Sequence, residues 1–330
     1  MIQKEEEKKE DEGIRTILIF GVNSFLGSNL AEILRKDFKV IGTYHKTPVN
    51  HPGILTLPCD VLIKDEVQLI IYAFKPDITI YAEGMDSLLQ AHKNPELAEA
   101  MNTSGLFNVA EYCHRYRSQV CYISSDYVFV GQNKKYIEMD IPDSSTMMGK
   151  TQSQAEFYIQ KTSLNYIIFR PCSIYGRGSV PNGKNWFETI QRSMSWGNRI
   201  VADDYISKGF LDVFYLGTLM KICFQKNVIN RLFQVCSTDT MTHYQFAKKY
   251  AEIFEESSKL IDRGKWDYPS DESRRGQSEF SFHLDVSNIE GFLNVTMPTI
   301  EESLEFTFRR LHGKKTGGKK VKKGTGISFI

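Results

Sequence analysis

Short runs of β-branched and other apolar residues alternate with segments of helical period through the first half of the chain. Residues 14–20, IRTILIF, predict a first strand; GVNSFLG makes a glycine turn, and SNLAEILRKD has the spacing of an amphipathic helix. A second strand is predicted at 38–43, with later ones at 78–81, 120–124 and 166–169, and segments such as VQLIIYAF and ELAEAMNTSGLFNVAEYCHRY supply helices between them. Strands alternating with helices of this length specify βαβ units and a parallel sheet with right-handed crossovers. The expected fold class is therefore α/β, a doubly wound parallel sheet built from residues 14–176.

Past residue 176 the pattern loosens through RGSVPNGKNW, a surface loop rich in Gly, Pro and Asn. Helical period returns at 213–223, 242–256 and 298–311, with one strand-like run at 232–235. This predicts a smaller, mostly helical substrate or cap domain over 177–312, whose elements can interleave with the first. The charge cluster 1–13 and the Lys/Gly stretch 313–330 read as solvated, flexible tails. The second tail ends on ISFI, so Ile327, Phe329 and Ile330 are candidates to dock on an acidic partner once the lysines have steered the segment there.

Composition narrows the function. With 41% hydrophobic and 25% charged residues the chain is globular, and no apolar run approaches the roughly 18 to 20 residues of a spanning helix. The start, MIQKEEEKKEDEG, has no apolar signal core, and a cytoplasmic location without membrane association is expected. Net charge is +1 although six lysines lie between 314 and 323, so the rest of the chain is acidic and nucleic-acid binding is not expected of it. The six cysteines form no C-x-x-C pair and read as buried small hydrophobes. The histidines form no HxH or HxxxH pair, and no metal site is expected.

Gly21, Ser24 and Gly27 stand in a G-x-x-S-x-x-G arrangement between the first strand and the first helix. Such a turn brings backbone amides and a helix N-terminus to a diphosphate, the arrangement of a Rossmann dinucleotide site. The end of the second strand, GTYHKT, has no acidic residue to hold an unphosphorylated ribose. His45 and Lys46 can instead accept a 2′-phosphate, which favours NADP(H) over NAD(H), or they are solvated loop residues. Asp60 follows the third strand, where a carboxylate can meet the adenine amino group.

These motifs, with CDV at Asp60, Asn102 in MNTSGLFNVAEYC, SSDYVFVG at 124–131, YIEMDIP and RPCSIYG at 170–176, resemble the extended short-chain dehydrogenase/reductase family. The resemblance covers residues 14–312 and is strongest to the dTDP-4-dehydrorhamnose reductase branch, which also holds the regulatory β subunits of methionine adenosyltransferase. It implies a cofactor set of Gly21, Asn23, Ser24, Phe25, Leu26, Gly27, His45, Lys46, Asp60, Val61, Ala82, Asn102 and Ser124. It also implies substrate contacts at Tyr127, Asn185 and Trp186.

The family's chemistry is hydride transfer between NAD(P)H and a carbonyl. A tyrosine acts as general acid, a lysine four residues on lowers its pKa, and an upstream Ser or Thr orients the carbonyl. Ser125 matches the Ser/Thr position, but Met148 and Gln152 stand where the resemblance places the tyrosine and lysine. Methionine has no proton to donate, and glutamine has no charge to depress a neighbouring pKa. Ser173 stands where the reductases carry a tryptophan against the sugar. The expectation is an NAD(P)-binding pseudoenzyme acting as a regulatory or scaffolding subunit with a protein partner or as a homodimer. The alternative is an active nucleotide-sugar reductase or epimerase with another donor, such as Tyr127.

Overall fold

The computed structural model describes residues 13–85, 87–132, 134–179, 185–266, 280–313 and 328–329. In chain order its first half holds β1 (Thr16–Phe20), α1 (Phe25–Leu34), β2 (Lys39–Tyr44), β3 (Leu55–Pro58), α2 (Lys64–Phe74), β4 (Ile78–Tyr81), α3 (Leu88–Lys93), α4 (Pro95–Glu99), α5 (Gly105–Tyr116), β5 (Gln119–Ile123), β6 (Lys135–Tyr136), α6 (Met147–Thr162), β7 (Tyr166–Pro171) and β8 (Ser173–Tyr175). The second half holds α7 (Trp186–Ser195), β9 (Ile200–Asp203), β10 (Ile206–Lys208), β11 (Phe210–Asp212), α8 (Val213–Gln225), β12 (Arg231–Val235), β13 (Met241–Thr242), α9 (His243–Ile253), β14 (Ile261–Gly264), β15 (Phe280–Leu284), α10 (Ser287–Leu293), β16 (Val295–Thr296), α11 (Ile300–His312) and β17 (Ser328–Phe329). A π-helical turn, Ala100–Ser104, leads into α5, and a 3-10 turn, Asp126–Val128, follows β5.

Seven strands pair in parallel in the order β12-β7-β5-β4-β1-β2-β3. Alternation along β1 explains why both faces are covered. Ile17 and Ile19 share a core with Leu30 and Leu34 of α1 and Leu216 and Leu219 of α8, while Leu18 and Phe20 share the other with Val67, Ile71, Leu106 and Val109 of α2 and α5. The chain runs outward from β1 to β3 and returns to the other side of β1 as β4. This makes the C-terminal edge between β1 and β4 the topological switch point, where doubly wound sheets bind ligands.

The second half contributes strands to two places. Residues 231–235 form β12, the edge strand of the large sheet, so the two halves interleave and position 176 does not divide that sheet. The cap is also less helical than expected, with β13, β10, β15 and β6 forming a four-stranded sheet and β11–β8 and β14–β9 forming pairs. Strands of two to five residues are too short to carry readable alternation. The cap has its own core of Tyr175, Phe187, Ile190, Phe210, Phe246, Tyr250 and Leu304.

All six cysteines are free and buried. Among the described residues, no helix is long and apolar enough to cross a membrane. Residues 1–12, 314–327 and 330 lie outside the described ones, and with them the lysine cluster, Ile327 and Ile330 of the tail. Phe329 and Ser328 pair antiparallel with Val295 and Thr296 of β16.

Candidate functional site

The switch point is occupied by the GVNSFLG turn. Gly21 has φ +87, which disfavours any L side chain, and its amide and that of Val22 both donate to the Thr43 carbonyl, at 3.1 and 2.8 Å. Ser24 caps α1, its Oγ accepting from the Gly27 amide at 3.0 Å and donating to the Ala82 carbonyl at 3.2 Å. A Cβ on Gly27 would lie 2.1 Å from the Gly21 carbonyl oxygen, so the helix approaches the strand on bare backbone. Asn23, Ser24, Phe25 and Leu26 are half-buried around the opening of α1. Ala82, at the end of β4, completes the turn's floor through its hydrogen bond with Ser24.

The residues expected at the adenine and its ribose hold one another. His45 faces Asp60, Nε2 to Oδ2 at 3.3 Å, whereas Lys46 is exposed. Asp60 is also fixed by its own backbone, its amide donating to Glu66 at 2.7 Å and its Oδ1 accepting from Leu62 at 2.9 Å. Val61 is buried, and its carbonyl accepts from Asn108 at 3.0 Å. Asn102 bridges two elements: its Oδ1 accepts from the Met85 amide at 2.8 Å, and its Nδ2 donates to Thr151 of α6 at 3.0 Å.

One residue that no local motif singled out stands in the turn itself. The Glu83 carboxylate lies against Gly21, its Oε2 only 2.7 Å from where a Gly21 Cβ would be. Burial, with Asp60 nearby, pushes its carboxyl up to about 7. Burial and then Glu66, Asp60 and Glu83 push the neighbouring Cys59 thiol up to about 12, which marks the convergence of three carboxylates. Because folded Glu83 retains a proton to about pH 7 that the unfolded chain loses near 4.5, stability falls as pH rises between those values. Glu83→Gln removes that loss: thermal unfolding is expected to show the variant more stable than the parent at pH 8 and equal to it near pH 4.

Met148 and Gln152, which the resemblance matches to the family's tyrosine and lysine, lie on α6. Thr146 caps this helix, its Oγ1 accepting from Gly149 at 3.1 Å, which sets Met148 and Gln152 one turn apart and both buried. Ser125 Oγ donates to Gln152 Oε1 at 2.6 Å. Met148 packs in an apolar cluster with Ala91, Ala98, Leu88 and Tyr127. A Cβ on Gly149 would fall 1.9 Å from the Tyr127 carbonyl oxygen, so α6 rests directly on the turn that carries Tyr127. Ser125, Tyr127, Met148 and Gln152, the residues the resemblance singles out, lie together here. Ser124 is buried beside them, its amide donating to Phe169 at 2.8 Å.

Two further residues of this region were not anticipated. Lys208 of β10 is buried, with its ammonium 3.0 Å from Asp126 and 3.6 Å from the centre of the Tyr127 ring. Burial alone would lower its pKa, but Asp126 and Tyr127 more than offset this and hold it above the usual lysine range. His243 is pushed down to about 3 by burial and then by Lys208. Its ring contacts Trp186 and Trp266, with centroids at 5.8 and 4.5 Å. Trp186 therefore belongs to an aromatic cluster of the cap. Asn185 caps α7, accepting from Glu188 at 3.2 Å and donating to the Gly176 carbonyl at 2.9 Å.

Residues 15–312 match the family profile described as RmlD substrate binding domain. A probable low-salt glycan biosynthesis reductase, Agl14, of Haloferax volcanii is 24% identical over 294 residues, which are 87% of this chain and 95% of that protein. The methionine adenosyltransferase 2 subunit beta of Bos taurus is 32% identical over 249 residues, 73% of this chain and 72% of that protein. Among solved structures, a dTDP-4-dehydrorhamnose reductase from Bacillus anthracis in complex with NADP matches with a TM-score of 0.78 at 20% identity, covering 91% of this chain and 100% of that one.

Proposed function

The chain belongs to the RmlD substrate-binding-domain family, that of dTDP-4-dehydrorhamnose reductase, and from that premise we propose that it is a nicotinamide dinucleotide-binding module that has lost hydride chemistry and serves as a regulatory or scaffolding subunit. The observation that carries the reading is the 2.6 Å hydrogen bond from Ser125 to Gln152 beside the apolar Met148. The hydroxyl that would orient a carbonyl is engaged with a neutral amide, and the position for the acid holds a thioether without a proton.

The backbone fits a dinucleotide. Gly21 and Gly27 keep the turn free of side chains, α1 opens on it, and the sheet reverses there. When bound, the cofactor would supply a hydride donor or acceptor. Asn23 to Leu26 would line the diphosphate, Asp60 and Val61 the adenine, and His45 and Lys46 the ribose or its phosphate. NADP(H) and NAD(H) both suit this set, with His45 and Lys46 favouring NADP(H). A nucleotide sugar would enter past Tyr127, and Ser173 of β8 stands at the position where the resemblance places a tryptophan.

The relative named as a subunit beta supports partnership with another protein. The same reading puts the protein in the cytoplasm and gives the C-terminal segment, whose Ser328–Phe329 pair with β16, a role in holding the partner. One observation favours an active enzyme instead: Lys208 over the Tyr127 ring is a second cation-and-phenol pair. That ammonium is already matched by Asp126 at 3.0 Å, and the simpler role for the pair is structural. Calorimetric titration with NADPH and with NADH tests the reading. Saturable binding of either supports it, and no binding of either at millimolar concentration refutes it.

A further inference from the structure

The notable group at the switch point is a carboxylate held against the glycine turn, the kind of turn that receives a dinucleotide's diphosphate. Glu83 Oε2 stands against Gly21, and the loop that carries it is fastened on both sides. Before it, the Ala82 amide donates to the Phe20 carbonyl at 2.9 Å and its carbonyl accepts from Ser24. After it, the Met85 amide donates to Asn102 at 2.8 Å. The charged and titratable groups facing Glu83 from neighbouring elements are Asp60 and Cys59 beyond β3 and Tyr81 at the end of β4, with Glu66 of α2 and His45 beyond β2 held against Asp60. Among the described residues, no cation and no hydrogen-bond donor meets the Glu83 carboxylate.

Two negative charges brought to a fastened carboxylate in a half-buried turn repel it strongly, and the cheapest relief is protonation. We propose that Glu83 takes up a proton from solvent when a nicotinamide dinucleotide binds, so that this chain's affinity for the cofactor is set by pH. The step is an acid–base one: the carboxylate gains one proton from the buffer, no bond to the nucleotide forms, and the diphosphate keeps its charge. This inference rests on the dinucleotide-binding reading and adds to it a condition, that the site is strongest below neutral pH. The upward displacement of this carboxyl to about 7 in the free protein makes the proton available at modest cost.

NADH is the suitable probe, because the 2′-phosphate of NADP(H) itself titrates near about pH 6. Its binding to the full chain and to Glu83→Gln is measured by calorimetry at pH 6, 7, 8 and 9, at pH 8 in two buffers of different ionisation enthalpy. The native chain is expected to take up most of one proton per NADH at pH 8 and to lose affinity by up to about tenfold per pH unit above 7. Glu83→Gln should take up almost none, match the native affinity at pH 6 and exceed it at pH 8. Native binding that is independent of pH and of buffer overturns the inference and leaves dinucleotide binding standing; it would mean that Glu83 swings clear. A pH dependence that persists in Glu83→Gln overturns it too and assigns the proton to another group. Failure of both proteins to bind NADH at pH 6 overturns the inference, and failure to bind NADPH as well overturns the reading beneath it.

Discussion

Replacing Lys208 by methionine lowers the stability of the fold by about 3 to 5 kcal/mol, the range for breaking one partner out of a buried ion pair. Lys208 and Asp126 side chains are each 1% exposed, and the ammonium sits 3.0 and 3.1 Å from the two carboxylate oxygens. The pair joins β10 of the cap to the turn after β5 of the large sheet, and the rings of Tyr127 and Phe282 lie 3.6 and 5.1 Å from the ammonium. Methionine preserves the stem's packing but leaves Asp126 buried without its cation. Asp126→Asn in the same chain removes that orphaned charge, and the double variant should recover most of the loss. Urea unfolding at constant slope measures both. A loss below about 1 kcal/mol for Lys208→Met would mean that water reaches the pair and that it does not hold the cap to the sheet.

Restoring the acid and its lysine, Met148→Tyr with Gln152→Lys, should raise reduction of a dTDP-4-keto sugar by NADPH above that of the parent by about 100-fold or more, since general acid catalysis contributes on the order of 100 to 10,000-fold. The two positions are one turn apart on α6, the geometry a phenol and an ammonium need to act together. Gln152 already touches Ser125, so a lysine there frees the serine hydroxyl for a carbonyl. Neither single replacement should suffice, and adding Ser125→Ala to the double variant should cancel the gain. If the double variant folds and binds cofactor yet stays inactive, the sugar pocket has diverged as well, as Ser173 already indicates. Initial rates from the nicotinamide absorbance decide between these outcomes.

The parts of this account that were legible along the chain are those with local signatures. The apolar run of β1 and the glycine turn with Ser24 are contiguous, so the strand-turn-helix unit could be read directly. Met148 and Gln152 are four residues apart within a helix, and their shared face follows from its period. What could not be read depends on contacts between distant segments. Glu83 is an ordinary loop residue until β1 and β4 become neighbours and place it against Gly21. Lys208 looks like a solvated charge in DDYISKGF, and its partner Asp126 lies 82 positions away. That Asp60 faces His45 could not be read either, because the two belong to the ends of different strands. The cap strands gave no signal because each is too short to alternate.

The central claim is that this scaffold holds a nicotinamide dinucleotide without passing on its hydride. The most direct test is a single-turnover experiment in which NADPH is bound to the full chain at pH 6.5 and dTDP-4-dehydrorhamnose is added in excess while the nicotinamide absorbance is followed. The account predicts saturable binding of NADPH and an absorbance that stays constant after the sugar is added. Decay of that absorbance at a rate of roughly 1 to 1,000 per second, as ordinary enzymes achieve, would contradict it.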